Sequence, residues 1–269
     1  MSFDITQITK DTWCISSLGW LHCFLAVGSE SALLIDTGAG CGDLKAAVES
    51  ITDKPYRVIN THGHFDHAGG NGQFGKVMLH PADFEIARCC NDYTARLGYV
   101  DSRIQIHRPK MRDAAIADVI PDCDYIMTPV YGGEEIDLGN RILEVIPTPG
   151  HTKGCICLLD RQNRLLFAGD MATDSVIIHQ GGNGTDVETT WRSFQKMLSY
   201  ADCYDLILRG HFNPAVKVEY LQKLNGLAEK MLTGREKPAY LKKGIRSGYC
   251  LIDGEISLWF DGYNMHPGV

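Results

Sequence analysis

The sequence predicts an α/β domain built in layers. Between Trp13 and Cys90, short apolar runs typical of strands alternate with segments that have the spacing of amphipathic helices. One run, Ala32 to Ile35, is apolar on both faces, which places it inside a covered sheet. The chain has 269 residues, 44% of them hydrophobic and 22% charged, enough for one large domain with a substantial core. We therefore expect strands and helices packed in layers.

The elements of the first half follow one another closely. A hairpin runs from His22 to Asp36 through the turn Gly28-Ser29-Glu30. Asp43 then caps a helix whose apolar residues recur on one face. Two further strands are predicted, Arg57 to Asn60 and Lys76 to His80, and Pro81 suits the first turn of the helix that follows.

The periodic pattern weakens after this helix. We expect residues 91–130 to form an insertion of irregular or short helical structure that lies over the active site. Strands resume with a hairpin through Gly139-Asn140 and another through residues 160–163. The chain should end with a helix that starts at Asn213-Pro214 and a hairpin, together spanning residues 214–262. Without a linker or a repeat, residues 1–269 are predicted to form a single domain.

Composition narrows the classes of function. The formal net charge is −7 and the isoelectric point is near 5.8, so we expect no nucleic-acid partner, because phosphate binding needs a concentrated basic face. The N-terminal residues lack the features of a signal peptide, and no apolar run reaches membrane-spanning length. We therefore expect a cytoplasmic protein with no membrane partner, whose ten cysteines stay reduced.

Four potential metal ligands stand within six residues, directly after a predicted buried strand. They are His62, His64, Asp66 and His67. Adjacent Asp66 and His67 must point in different directions, which indicates two metal positions rather than one. Imidazole and carboxylate ligands together suit zinc, and less selectively iron or manganese. The sequence thus predicts two divalent metal ions, most simply Zn²⁺, with Fe or Mn as alternatives.

Further ligand-type side chains also follow predicted strands. His151 lies in Pro147-Thr148-Pro149-Gly150-His151, where the prolines fix the backbone. Asp170 and His211 each come directly after an apolar run, and a buried carboxylate at such a place needs a positive partner. Asp36 ends the predicted buried strand and is well placed to orient a ligand histidine.

These elements together resemble the metallo-β-lactamase superfamily of metallohydrolases. The likeness covers Asp36, the His62-x-His64-x-Asp66-His67 signature, His151, Asp170 and His211, in the family's order, and spans roughly residues 5 to 215. The resemblance implies a four-layer αβ/βα sandwich with a metal pair at one edge of the sheets. It also implies that one metal is held by His62, His64 and His151 and the other by Asp66, His67 and His211, with Asp170 as a bridge.

The resemblance further indicates the branch of the superfamily. Asp170 points away from a true β-lactamase, since those enzymes generally lack a carboxylate at this position. The segments Thr148-Pro149-Gly150-His151-Thr152 and Phe167-Ala168-Gly169-Asp170 are similar to glyoxalase II-like hydrolases, although no glutathione-binding helical domain is recognisable after residue 215. We expect a hydroxide that bridges the two metals to hydrolyse a small thioester, lactone or ester, with Asp66 in a catalytic role as orienter or proton acceptor.

Several alternatives stay open. The same metals would serve a phosphodiesterase, and the motif also resembles mono-iron sulfur dioxygenases. A non-catalytic metal-binding scaffold would keep the ligands without turnover.

The substrate is expected to be a small molecule, and a homodimer is possible. We predict substrate contacts from His179, Lys153 and the insertion's cations, which are Arg108, Lys110 and Arg112. The remaining histidines are expected to be structural or on the surface: His22, His80, His107 and His266.

Overall fold

The first of two facing sheets follows the order of the chain. In the computed structural model, which describes residues 3–89, 92–178, 182–243 and 246–261, this sheet has seven strands. The strands are β1 (Asp4–Thr9), β2 (Thr12–Ser17), β3 (Leu21–Val27), β4 (Ala32–Ile35), β5 (Tyr56–Ile59), β6 (Lys76–Leu79) and β7 (Ile126–Pro129). Strands β1 to β4 are antiparallel, whereas β4 to β7 are parallel. As predicted, β4 is wholly buried in the middle of the sheet.

The remaining strands form two further sheets. In chain order they are β8 (Glu135–Asp137), β9 (Ile142–Pro147), β10 (Ile156–Asp160), β11 (Leu165–Gly169), β12 (Ser175–Ile177), β13 (Leu206–Arg209), β14 (Ala215–Val216), β15 (Ala239–Lys243), β16 (Arg246–Asp253) and β17 (Ile256–Phe260). The second sheet has the order β14-β13-β11-β10-β9-β8, and a smaller third sheet has the order β12-β17-β16-β15. Because β11 and β13 are parallel, their carboxyl ends lie at the same edge.

Seven α-helices lie in the described parts of the chain. They are α1 (Leu44–Glu49), α2 (Phe65–Ala68), α3 (Phe84–Cys89), α4 (Tyr93–His107), α5 (Arg112–Ala117), α6 (Val187–Leu198) and α7 (Val218–Leu232). Helix α1 packs on the first sheet, and α6 and α7 pack on the second. The four-layer αβ/βα sandwich expected from the sequence is confirmed. No helix in the described ranges is both long and apolar enough to cross a bilayer.

The core between the sheets fixes how they face each other. Side chains from β2 to β5 interdigitate with side chains from β8 to β11 and β13. At its centre the rings of Phe24 and Phe167 meet edge to face, with centroids 5.7 Å apart. This core brings the carboxyl ends of strands from both sheets together along one edge.

The insertion is more regular than the sequence suggested. Residues 91–130 contain the fifteen-residue helix α4 as well as α5, whereas irregular or short helical structure was expected. The pattern was hard to recognise because the buried residues of α4 are only Arg96, Val100 and Ile104, and the rest of the helix is largely polar. The two helices share a small core of their own with the loop that carries Trp20. The insertion is therefore anchored to the edge of the first sheet.

The C-terminal region also departs from the prediction at one end. Helix α7 begins at Val218 rather than at Asn213-Pro214, because Ala215 and Val216 pair with β13 as an edge strand. The predicted terminal hairpin is present as β16 and β17. It is extended by β15 and by β12, which pairs in parallel with β17.

A buried arginine links the two large sheets. The Arg141 guanidinium donates to the Asp160 carboxylate at 2.7 Å and to the Thr12 hydroxyl at 2.8 Å, and it also contacts the carbonyl of Asp11. Both charged side chains are almost completely buried, and burial lowers the pKa of Arg141 while Asp160 raises it. Each charge of the pair is therefore stabilised mainly by the other, because neither is hydrated.

We expect Arg141→Ala to lower the free energy of unfolding by about 3–5 kcal/mol, because it leaves the Asp160 charge buried without its partner. The measurement is urea denaturation followed by circular dichroism. The control Arg192→Ala breaks the exposed pair with Glu188 on α6 and should cost no more than about 1 kcal/mol. Equal losses for the two variants would show that Arg141 does not link the sheets.

Candidate metal centre

Ligand-type side chains converge where strands of both sheets end. The segment that contains His62, His64, Asp66 and His67 follows β5 of the first sheet. In the second sheet His151 follows β9, Asp170 follows β11 and His211 follows β13. Because these strands end at the same edge, loops that are distant in the sequence meet there.

Three histidines form one group. One ring nitrogen from each of His62, His64 and His151 lies within 4.8 Å of the others. His64 Nδ1 and His151 Nε2 are 2.8 Å apart, and the three rings approach one another at steep angles. Three imidazoles arranged around one point are a common zinc ligand set.

A second group lies beside the first. Its members Asp66, His67 and His211 also offer ligand atoms within 4.8 Å of one another. His67 Nε2 is 3.3 Å from His211 Nε2, and His211 Nε2 is 3.6 Å from Asp66 Oδ2. This group mixes imidazole with carboxylate and contains both Asp66 and His67, although their adjacency in the sequence predicted two separate metal positions.

Asp170 stands between the groups. Its Oδ1 atom lies 3.1 Å from His67 Nε2 and 3.2 Å from His211 Nε2. Its Oδ2 atom lies 3.6 Å from His151 Nε2, which belongs to the other group. One carboxylate thus faces both sets of imidazoles with different oxygens.

The donor atoms fit divalent metal ions. His62 Nε2 is buried and has no hydrogen-bond partner within the described chain, although such an atom is costly to leave unpaired. Burial lowers the pKa of His62, and burial followed by the charge of His151 lowers the pKa of His64 to about 3, so both imidazoles stay neutral and able to bind a metal. The residues present therefore suit the two metal positions expected from the sequence.

The charges at the second group are tightly matched. Burial by itself would lower the pKa of His67, but Asp170 and Asp36 raise it well above its usual value. Burial likewise opposes ionisation of Asp170, yet His211 and His67 hold the pKa of that carboxyl well below its usual range. Asp170 and Asp36 thus favour a protonated, positively charged His67 at a position where a bound metal ion would supply the positive charge instead.

Asp36 orients one of the candidate ligands. His67 Nδ1 donates to Asp36 Oδ2 at 2.8 Å, which turns Nε2 towards Asp170 and His211. The Thr61 backbone N–H and hydroxyl also donate to the Asp36 carboxylate, at 2.7 and 2.8 Å. Asp36 has a φ of 64°, a left-handed conformation that is strained for a residue with a side chain. The three hydrogen bonds to the Asp36 carboxylate stabilise this backbone conformation, which places the carboxylate next to His67 Nδ1.

Asp83 was missed by the sequence analysis, although it joins two ligand loops. Its buried carboxylate accepts from the Gly63 N–H at 2.8 Å, the Gly154 N–H at 2.7 Å and the Thr152 hydroxyl at 2.6 Å. A Cβ atom on Gly154 would lie 2.5 Å from an oxygen of Asp83, so only glycine permits this approach. Burial raises the pKa of Asp83, and the three hydrogen bonds oppose that shift. Its signal in the sequence, an acid in the turn after Pro81, is too common to single out.

Two further contacts steady the ligands of the second sheet. His151 Nδ1 lies 2.6 Å from the carbonyl of Ile177, which leaves Nε2 for the cluster. His22 places one ring nitrogen 2.8 Å from the Ser16 hydroxyl and the other 2.6 Å from the carbonyl of Phe212, beside His211. Burial lowers the pKa of His22 to about 4, so it stays neutral, and the structural role expected for this histidine agrees with its position.

A cavity of about 350 Å³ opens onto the cluster. The candidate ligands His64, Asp66, His151, Asp170 and His211 lie along its wall. Helix α4 adds three side chains that the sequence analysis did not identify as site residues: Tyr99, Arg103 and His107. They are spaced four residues apart and therefore share one face of the helix. His107, expected to be structural or on the surface, thus belongs to the wall of this cavity.

Four of the five predicted substrate contacts do not line this cavity. Arg108, Lys110 and Arg112 follow α4 after its last turn, and the guanidinium of Arg112 is paired with Asp101 at 2.5 Å. Lys153 has an exposed side chain outside the lining, although its backbone N–H donates to the Asn183 carbonyl. His179 lies outside the described residues. The residues of α4 that line the cavity lie before the run of cations in the sequence. The run therefore did not indicate which side chains of the insertion reach the cavity.

Comparison with known proteins identifies the family of this chain. The family model described as the metallo-beta-lactamase superfamily matches residues 22–204, well over half of the chain. The chain belongs to this superfamily. Its relatives include the acyl-coenzyme A thioesterase MBLAC2 of Homo sapiens, 29% identical over 220 residues that cover 71% of this chain and 73% of that protein. The MBLAC2 of Gallus gallus is 31% identical over 208 residues, covering 71% and 72%.

Solved structures of other proteins share the fold. The sec-alkylsulfatase Pisa1 from Pseudomonas sp. has a TM-score of 0.65 at 18% identity, over 87% of this chain and 42% of that protein. A metallo-beta-lactamase family protein from Thermus thermophilus has a TM-score of 0.59 at 20% identity, over 85% and 82%. At these identities the likeness concerns architecture alone.

We expect Asp36→Asn to lower zinc affinity by roughly 10- to 100-fold, because the amide disturbs the hydrogen bond that orients His67. Asparagine tolerates the left-handed backbone, so the variant tests the charge and hydrogen bond rather than the turn. Zinc affinity is measured by competition with a chromophoric chelator. The control Asp43→Asn alters the N-cap of α1, far from the ligands, and should bind zinc like the unmodified protein. Unchanged affinity in Asp36→Asn would remove Asp36 from the metal centre.

Proposed function

We propose that this protein is a dinuclear metal-dependent hydrolase that acts on the thioester bond of a small molecule, with lactones and simple esters as related substrates. The observation that carries the proposal is the position of Asp170, whose two oxygens face the two ligand groups. Zn²⁺ is the metal proposed, with iron or manganese as alternatives, because the donors are imidazoles and carboxylates.

Each candidate ligand has a defined place in this proposal. His62, His64 and His151 would hold one metal ion, Asp66, His67 and His211 the other, and Asp170 both. Such a pair, when bound, makes water nucleophilic at neutral pH and polarises the carbonyl oxygen of the substrate. Asp36 and the Ile177 carbonyl keep His67 and His151 turned towards the cluster.

Asp66 is the proposed proton acceptor. Its carboxylate lies on the cavity wall, 3.6 Å from His211, where the attacking water and the substrate would meet. Burial opposes its ionisation, but His67 and His211 lower the pKa of Asp66, so it is a carboxylate at neutral pH. A proton removed from water could therefore be taken up at Asp66 and passed to the leaving group.

The choice of a thioester rests on the relatives. Proteins named acyl-coenzyme A thioesterase cover more than two thirds of this chain at 29% to 31% identity. The cysteines near the site do not offer a competing nucleophile, since burial raises the pKa of Cys155 and that of Cys157 and keeps both thiols protonated. The proposed reaction therefore uses the cluster and neither of these two thiols.

We expect the zinc-loaded protein to hydrolyse aryl thioesters, and expect removal of zinc with a chelator to abolish the reaction until zinc is restored. Released thiol is measured with a chromogenic reagent, alongside a lactone and a phosphodiester. Turnover of the phosphodiester alone would contradict the proposed substrate class. Inactivity on every class would favour a metal-binding scaffold.

Asp170→Ala should lower kcat/KM at least 100-fold and reduce the bound zinc from two ions towards one, because it removes the carboxylate shared by both groups. Zinc content is measured by mass spectrometry. The exposed Asp53→Ala serves as the matched control and should keep both activity and zinc. If Asp170→Ala retained two zinc ions and full turnover, the shared role of Asp170 would be refuted.

A further inference from the structure

One cation on the cavity wall is not paired with an acid. Three lining carboxylates already have side-chain partners: Asp66 and Asp170 face histidines, and Asp174 accepts from Arg209 at 2.7 Å. The guanidinium of Arg103, on α4, has no ion pair with a carboxylate in the parts of the chain that are described. By contrast, Arg112 on the same insertion pairs with Asp101. The charge of Arg103 is therefore available to a ligand.

The position of Arg103 is fixed by its own helix. Its Cζ atom lies 5.6 Å from the ring centroid of Tyr99, one turn earlier, in a cation–π contact. Tyr99 in turn is next to the cluster: its ring centroid lies 4.8 Å from that of Phe65, the residue before Asp66. Burial, then the charge of Asp66, raises the pKa of the Tyr99 hydroxyl. A single aromatic ring thus separates Arg103 from a candidate metal ligand.

An aromatic strip lies beside this cation. It consists of Trp20, His107 and Phe212, with ring centroids 4.9 Å apart for the first pair and 5.5 Å for the second. Burial and the nearby charge of Arg103 lower the pKa of His107, so its ring stays neutral. Phe212 is 48% exposed and has a φ of 58°, a strained backbone conformation. Two hydrogen bonds hold this backbone: the Phe212 N–H donates to the Trp20 carbonyl, and a ring nitrogen of His22 contacts the Phe212 carbonyl. Together with Trp20 and His107, which also line the cavity, Phe212 forms a contiguous planar surface that a ligand can cover.

We propose that Arg103 binds an oxyanion of the substrate close to the scissile bond, while the substrate's apolar or planar part packs on the strip of Trp20, His107 and Phe212. The inference rests on the proposed hydrolase function and narrows its substrate class to anionic thioesters. The oxyanion is a carboxylate or a phosphate, since a guanidinium fork binds either through paired N–H donors.

The first test measures binding and needs no turnover. The zinc-loaded protein is titrated calorimetrically with 2-naphthoate, with naphthyl phosphate and with the uncharged 2-naphthamide. Arg103→Gln should weaken binding of at least one of the two anions roughly 10- to 100-fold and leave the amide within about twofold. The anion that loses more affinity identifies carboxylate or phosphate as the group bound. Arg103→Lys keeps the charge and should retain part of the preference.

The control is Arg88→Gln on α3. Arg88 also packs over a ring one turn earlier, Phe84 at 5.9 Å, but it is exposed and does not line this cavity. It should bind all three probes like the unmodified protein. Equal weakening of anions and amide in Arg103→Gln, or no weakening of any probe, would overturn the proposal.

The second test uses the reaction. The S-phenyl monothioester of succinate is compared with its methyl ester, which has the same thioester without the negative charge. The unmodified protein should have a higher kcat/KM for the anionic substrate, and Arg103→Gln should remove most of that preference through KM. If neither thioester is hydrolysed, the proposed function fails, while the binding titration still decides the role of Arg103.

Discussion

The structure depends on placing buried carboxylates among histidines where two sheets meet. Asp170 is surrounded by His67, His151 and His211, and each contributes from a different loop. A carboxylate in such surroundings is stable only with positive charge beside it, supplied by protons or by metal ions. The loops that carry these histidines must therefore keep positive charge next to Asp170.

The scaffold secures that arrangement mainly through residues that would not touch a metal. Asp36 holds His67 and Thr61, whereas Asp83 ties the loop of Gly63 to the loop of Gly154. Both are buried acids that accept several hydrogen bonds, from backbone groups and from side chains. Because each donor is satisfied, the loops resist displacement, and the ligand atoms stay within a few ångströms of one another.

Much of this was predictable from local patterns. The strand at Ala32 is apolar on both faces, and the histidine cluster directly follows a buried strand, so their positions could be inferred without tertiary information. Helix α4 was not recognised because its buried side includes Arg96, which does not register as apolar. Pairing of β12 with β17 joins segments about eighty residues apart, and no local pattern encodes it.

Two residues that the sequence analysis missed share a physical reason. Asp83, which joins two ligand loops, and Arg103, for which a role in substrate binding is proposed, are charged residues of ordinary appearance. What distinguishes them is what folding brings beside them. For Asp83 that is two glycine N–H groups, and for Arg103 it is a cavity whose lining acids, within the described chain, already face histidines or Arg209. Conversely, the conspicuous run of cations after α4 turned out to lie off the cavity wall.

The division of the ligands between the two sheets has a mechanical consequence. His62 to His67 follow a strand of one sheet, whereas His151, Asp170 and His211 follow strands of the other. The rings of Phe24 and Phe167 pack against each other in the core between the two sheets. A small slide or tilt at that aromatic contact would move the two halves of the cluster relative to each other. The packing of Phe24 against Phe167 is therefore coupled to the distances between the candidate ligands, although neither ring belongs to the cluster.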